Sequence, residues 1–130
     1  MQNNTPAIVI GIVVLALVAG GIVIFGSSAG SPIASGKLDS FAQCIKDSGA
    51  IFYGAFWCPH CQAQKKMFGS STKLLPYVEC STPDGNGQLE QCRVKDVKNY
   101  PTWDFPDGSR LTGEQQLALL AEKTKCALPE

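Results

Sequence analysis

The chain has 130 residues, with 11 basic and 11 acidic side chains balancing to zero net charge. That length fits one compact domain, and scattered lysines and arginines with no basic stripe exclude an ordinary nucleic-acid-binding surface. Six cysteines in so short a chain point to an oxidising compartment.

The first 25 residues stand apart from the rest. From Ala7 to Phe25 runs AIVIGIVVLALVAGGIVIF, without a charge. As a helix, these 19 residues would extend about 28 Å, close to the hydrocarbon thickness of a bilayer. The expectation is one transmembrane helix over residues 7–25, within an N-terminal segment of residues 1–25. A cleaved signal peptide is the rival, but such peptides carry a basic start and a shorter apolar core. Residues 26–36, GSSAGSPIASG, read as an uncharged flexible linker. Residues 37–130 form a domain small enough to need covalent staples. Lys37 and Lys46 after the apolar run argue weakly for a cytoplasmic domain. The cysteines argue the opposite and are given more weight. The expected location is a single-pass protein of the cell membrane with its domain on the extracytoplasmic side.

Within the domain, Leu38, Phe41, Cys44 and Ile45 recur at helical spacing, and Gly49 is a stop signal, giving a helix over Lys37–Ser48. Ala50–Trp57 is apolar and aromatic, as a strand buried on both faces would be. Pro59 suits the first position of a helix that Gly69 could end. Pro76–Cys80 reads as a strand, STPDGNG (81–87) as a loop, and Gln88–Val97 as a helix. Two strands, Thr102–Phe105 and Ser109–Thr112, flank the turn Pro106-Asp107-Gly108. A last helix covers Glu114–Lys125. Strands alternating with helices predict an α/β domain with a mixed central sheet and helices on both faces.

The chemistry concentrates in FYGAFWCPHCQAQKK, Phe52 to Lys66. Cys58 stands directly before a helix start, where the positive end of the helix and its unpaired N–H groups favour thiolate over thiol. Cys61 follows one turn later on the same side, so the two can close a disulfide with little movement. His60, the only histidine, could stabilise a Cys58 thiolate further. Stabilising the thiolate stabilises the reduced pair and makes its disulfide the better oxidant, by about 30 mV for each tenfold change in equilibrium. A structural zinc site usually needs two close ligand pairs. Here Cys80 and Cys92 are far apart, so no metal is expected. A merely structural Cys58–Cys61 bridge would brace little.

Trp57-Cys58-Pro59-His60-Cys61 after a buried strand, with Tyr100-Pro101-Thr102 far downstream, resembles the thioredoxin superfamily. PYVEC (76–80), Cys92, YPTW (100–103) and the LTG before the last helix are more similar to the thioredoxin-like domain associated with vitamin K epoxide reductase (VKOR) homologues. The CPHC tetrapeptide is also that of DsbA-type oxidases. The resemblance spans roughly Lys37 to Lys125. It implies a thioredoxin-like fold, Cys58 as nucleophile, Cys61 as resolving thiol, and Pro101 as a cis-proline lying against the pair. Tyr100 and Trp57 would contact substrate, although Trp57 could equally fill space beside the site. It further implies a structural disulfide between Cys80 and Cys92, with an electron-relay role for that pair as the alternative. Cys44 and Cys126 are then expected to pair, or to stay as separate buried thiols.

Three features depart from the family; the first is that its usual first strand is missing, since the linker runs almost directly into the first helix. Many thioredoxins carry a buried acid six residues before the first cysteine, where this chain has Phe52. Most such domains are also fused to the VKOR membrane enzyme, so here that partner is expected in another chain. The resulting expectation is a membrane-anchored thiol–disulfide oxidoreductase that oxidises protein thiols. It needs no cofactor beyond its own thiols, and a VKOR-like quinone-linked enzyme accepts its electrons. A reductase or isomerase fed from the membrane is the alternative, and a metal-handling or chaperone-like domain the alternative of another class. Lys65 and Lys66 are read as the solvated face of their helix, Trp103 and Phe105 as core.

Overall fold

The computed structural model describes residues 36–130. The expected membrane helix, and the linker up to its last residue, lie outside the described residues. Among those described, the elements in chain order are α1 (Asp39–Asp47), β1 (Ile51–Gly54), α2 (Pro59–Phe68), a 3-10 helix (Gly69–Leu74), β2 (Tyr77–Glu79), α3 (Glu90–Arg93), β3 (Thr102–Asp104), β4 (Arg110–Thr112) and α4 (Leu117–Thr124).

The strands form one mixed sheet in the order β2-β1-β3-β4. β1 runs parallel to β2, with Gly54 opposite Glu79. It runs antiparallel to β3, which pairs antiparallel with β4. This is an α/β architecture consistent with the thioredoxin-like fold, and no strand precedes α1 among the described residues.

Successive residues of β1 point to opposite faces, and each face supplies its own cluster. Phe52 joins the larger one, with Phe41 and Ile45 of α1, Cys61 and Phe68 of α2, Trp103 of β3 and Leu120 of α4. Tyr53 joins the smaller, with Cys80, Cys92 and Val97. Three helices therefore pack on one face, and the other is covered by α3 and its loops. Phe52 stacks on Trp103 at 4.6 Å between ring centroids and meets Tyr77 edge-on at 5.2 Å, geometries that aromatic quadrupoles favour. The position of the acid in many thioredoxins is thus an apolar, fully buried stack. Trp103 and Phe105 are core residues.

Several elements are shorter than their sequence suggests. The strand expected over Ala50–Trp57 ends at Gly54, because the Cys58 N–H turns back to the Ala55 carbonyl and the Phe56 N–H bonds the Glu79 carboxylate. The helix expected over Gln88–Val97 contracts to Glu90–Arg93. Asp96 takes a left-handed φ of 53°, and the Val97 N–H returns to the Cys92 carbonyl. The last helix begins at Leu117 rather than Glu114 because Gln64 reaches across and occupies the Gln115 backbone. Gln64 Oε1 accepts the Gln115 N–H at 2.6 Å, and its amide donates to the Gln115 carbonyl at 3.0 Å. Trp103 Nε1 donates to the same Oε1 at 3.3 Å. Gln64 is fully buried, so this network satisfies polar groups whose orphaning would cost about 1–3 kcal/mol each.

Two disulfides tie the domain together. Cys44 of α1 joins Cys126 beyond α4, closing a sequence separation of 82 residues. Cys80 joins Cys92 across a separation of 12.

Candidate active site

Cys58 is the residue preceding α2, with an extended backbone at φ −77° and ψ 119°, and Pro59 opens the helix. Pro59 loses nothing there, since the first helical N–H has no intrahelical acceptor. The Cys58 sulfur accepts the Cys61 N–H at 3.4 Å, one of the orphan donors of the helix start. An N–H aimed at the sulfur, with the positive end of α2 behind it, favours negative charge on that atom. Cys58 and Cys61 are free thiols. Cys58 is 5% exposed at the surface of the site, whereas Cys61 is wholly buried. Burial pushes the Cys61 thiol up to about 12, reinforced by the neighbouring Cys58 and only partly opposed by the Ala55 backbone and the Lys65 charge. The pair is therefore asymmetric: a sulfur close to the surface held at a helix end, and a concealed one that prefers to keep its proton.

The loop before β3 reaches the same spot. The Tyr100–Pro101 peptide bond is cis, and the Tyr100 carbonyl lies 3.7 Å from Cys58 Sγ. Trp57, 53% exposed, stands edge-on to Tyr100 with its indole N–H donating to Ser81 Oγ at 2.8 Å. Phe56 is 48% exposed. Both aromatic rings face Gly85 of the 81–87 loop. An apolar rim thus borders the accessible sulfur. His60 projects to the surface, where its Nδ1 meets Glu114 Oε1 at 2.6 Å, so its ring is directed towards a carboxylate.

Cys58, Cys61, Tyr100, Pro101 and Trp57 are thus brought together, with His60 at the margin. Cys80 and Cys92 lie on the other face of β1 and are fully buried in their disulfide. Cys44 and Cys126 form the remote clasp. Lys65 departs from its expected place on a solvated face: its Nζ sits 3.4 Å from the centroid of the Tyr77 ring, a cation over an aromatic face. Tyr77 and Glu79 have no site role in the sequence reading beyond their place in PYVEC, yet Tyr77 borders the space at Gly54 that Cys61 also borders, and Glu79 accepts a hydrogen bond from the Tyr77 hydroxyl. A signal existed for all three. Lys65 follows Cys61 by four residues and so shares its helix face, while Tyr77 and Glu79, two apart on a strand, share theirs.

Two thiols in this arrangement can close a disulfide and pass it to another thiol pair. The comparisons agree with that chemistry. No family model matches the chain. It is 42% identical over 109 residues to the thiol-disulfide oxidoreductase LTO1 of Arabidopsis thaliana. The match takes in 80% of this chain but 27% of LTO1, so the chain spans about a quarter of that relative's length. With the Cys58–Cys61 pair before a helix and the mixed sheet behind it, the chain belongs to the thioredoxin-like domains associated with VKOR homologues.

Proposed function

We propose that this chain oxidises protein thiols through a Cys58–Cys61 disulfide, from an anchored position on the extracytoplasmic side of a membrane. A substrate thiolate attacks Cys58 Sγ, the Cys58–Cys61 bond breaks, and its electron pair leaves on Cys61, which takes a proton. A second substrate thiolate then attacks the substrate sulfur of the mixed disulfide and releases Cys58 as thiolate. Two electrons have passed from the substrate to the pair. The observation that carries this reading is the asymmetry of the two sulfurs. Cys58 sits at the helix end with an N–H directed at it, which favours the reduced pair and so an oxidising disulfide. Cys61 is wholly buried, so substrates meet Cys58 alone. Trp57, Tyr100 and Pro101 supply the surface against which a substrate strand lies.

The reduced pair must be re-oxidised, and the proposed electron acceptor is a VKOR-like membrane enzyme that passes electrons to a quinone. Support comes from the likeness to LTO1 and from the apolar run of residues 7–25, which would confine both proteins to one membrane and raise their effective concentration. The test is to reconstitute the reduced full chain in liposomes with such an enzyme and quinone. Re-oxidation is expected to require the enzyme and to slow at least about tenfold when residues 1–36 are removed at equal bulk concentration. Re-oxidation that is equally fast without residues 1–36 contradicts the anchoring role. No re-oxidation by any such enzyme contradicts the pairing and favours a reductase fed from the membrane.

A further inference from the structure

Every exchange at the Cys58–Cys61 pair adds or removes one proton at Cys61. The Cys61 sulfur is fully buried, so bulk water is poorly placed to handle that proton and a protein group must do so. Phe52 on the adjoining strand has no group to offer. Gly54 instead opens a notch. A Cβ at Gly54 would stand 2.9 Å from Cys61 Sγ, 2.8 Å from Tyr77 Cε2 and 3.4 Å from Tyr77 Oη. The missing side chain therefore leaves a space bordered by both the Tyr77 hydroxyl and the Cys61 sulfur. Beyond it, Tyr77 donates to Glu79 Oε2 at 2.8 Å. The other carboxylate oxygen accepts the N–H groups of Phe56 at 3.2 Å and Ser81 at 2.9 Å. Glu79 is fixed by these bonds across the parallel β1–β2 pairing, in which it stands opposite Gly54 itself.

We propose that Glu79, acting through the Tyr77 hydroxyl, is the proton acceptor and donor for Cys61, with the Lys65 ammonium over the Tyr77 ring stabilising the negative charge that moves along this line. This deepens the reading of Cys61 as the resolving thiol and rests on it. When Cys61 resolves a mixed disulfide, its S–H proton passes to the Tyr77 oxygen as the Tyr77 proton passes to Glu79 Oε2. The Cys61 thiolate attacks Cys58 Sγ, and the partner sulfur leaves with the electron pair. When Cys61 is instead the leaving group, the protons run the other way. Cys58 and Lys65 are the charges acting on Cys61, and Glu79, Cys61 and Cys58 those acting on Tyr77. The Glu79 and Cys61 charges both act on Lys65.

The reagent 5,5′-dithiobis(2-nitrobenzoate) separates the two steps. Attack by Cys58 releases one coloured thiolate, and resolution by Cys61 releases a second. The reduced full chain in detergent is followed by stopped flow from pH 6 to 9, alongside Glu79→Gln and Tyr77→Phe. The glutamine keeps an acceptor for Phe56 and Ser81, the phenylalanine keeps the ring, and circular dichroism and melting check that both variants fold. In each variant the ratio of second to first release is expected to fall at least about tenfold at pH 7. Without the internal acceptor, the second release should climb about tenfold per pH unit, as the small thiolate fraction of Cys61 does, while the parent chain stays much flatter. A structural role would slow both steps and leave that slope alone. The proposal is overturned if either folded variant keeps the parent ratio and slope. If the parent chain itself gives no second release, the assignment of Cys61 as resolving thiol falls, and the proposal with it.

Discussion

Cys61→Ser is expected to accumulate substrates as mixed disulfides on Cys58, and Cys58→Ser to lose thiol–disulfide exchange by on the order of 10³-fold or more, the scale on which loss of an attacking nucleophile acts. The contrast follows from exposure. Cys58 keeps a small exposed surface, while Cys61 has none. Removing Cys61 leaves a competent attacking thiol with nothing to release its partner. Removing Cys58 leaves a thiol that substrates cannot approach and whose proton is held tightly. Non-reducing gels of cells expressing each variant, followed by identification of the trapped proteins, read the result. Equal trapping by the two variants would erase the assigned roles.

The second large effect concerns the clasp between Cys44 and Cys126. It closes a loop of 82 residues, nearly the whole domain. On the chain-entropy model, its removal costs about 4–5 kcal/mol. Domains of this size have only about 5–15 kcal/mol of stability in all. The paired substitution Cys44→Ala/Cys126→Ala is therefore expected to leave the domain marginal. Removing Cys80–Cys92, whose separation is 12, should cost about 3 kcal/mol. Urea unfolding of the three proteins, compared at matched slopes, gives the differences. A loss below about 1 kcal/mol for the long clasp would contradict its structural role.

The parts of the site that lie within one turn of helix were legible in the sequence. Cys58, Pro59 and Cys61 announce a helix start with two thiols on one side, because capping chemistry and helical periodicity act over neighbouring residues. Pro101 was reached only through the family resemblance, since nothing local to Tyr100-Pro101-Thr102 says that the fold returns it to Cys58. Glu79 and Tyr77 enter the sequence reading only as part of PYVEC, with no role at the site. The place of Tyr77 near Cys61, with Glu79 behind it, depends on the register of two parallel strands, Gly54 opposite Glu79, and on a glycine whose missing side chain leaves room. Strand register is a tertiary property and leaves little trace in the residues themselves. The misjudged element ends have similar causes. Gln64 takes the hydrogen bonds that an earlier start of α4 would have used. Asp96 turns the chain out of helical geometry after α3. Lys65, which helical periodicity places beside Cys61, was read as solvated because lysine usually is. Tyr77 supplies the aromatic face that keeps it inward.

The most direct test of the account is the reduction potential of the Cys58–Cys61 couple, measured by equilibrating the full chain in detergent with glutathione buffers and quantifying both redox states by thiol labelling. A pair whose reduced form is stabilised at a helix end should lie at roughly −180 to −120 mV, in the range of proteins that donate disulfides. A value near about −270 mV, typical of a dedicated reductant, would contradict the proposed direction of electron flow.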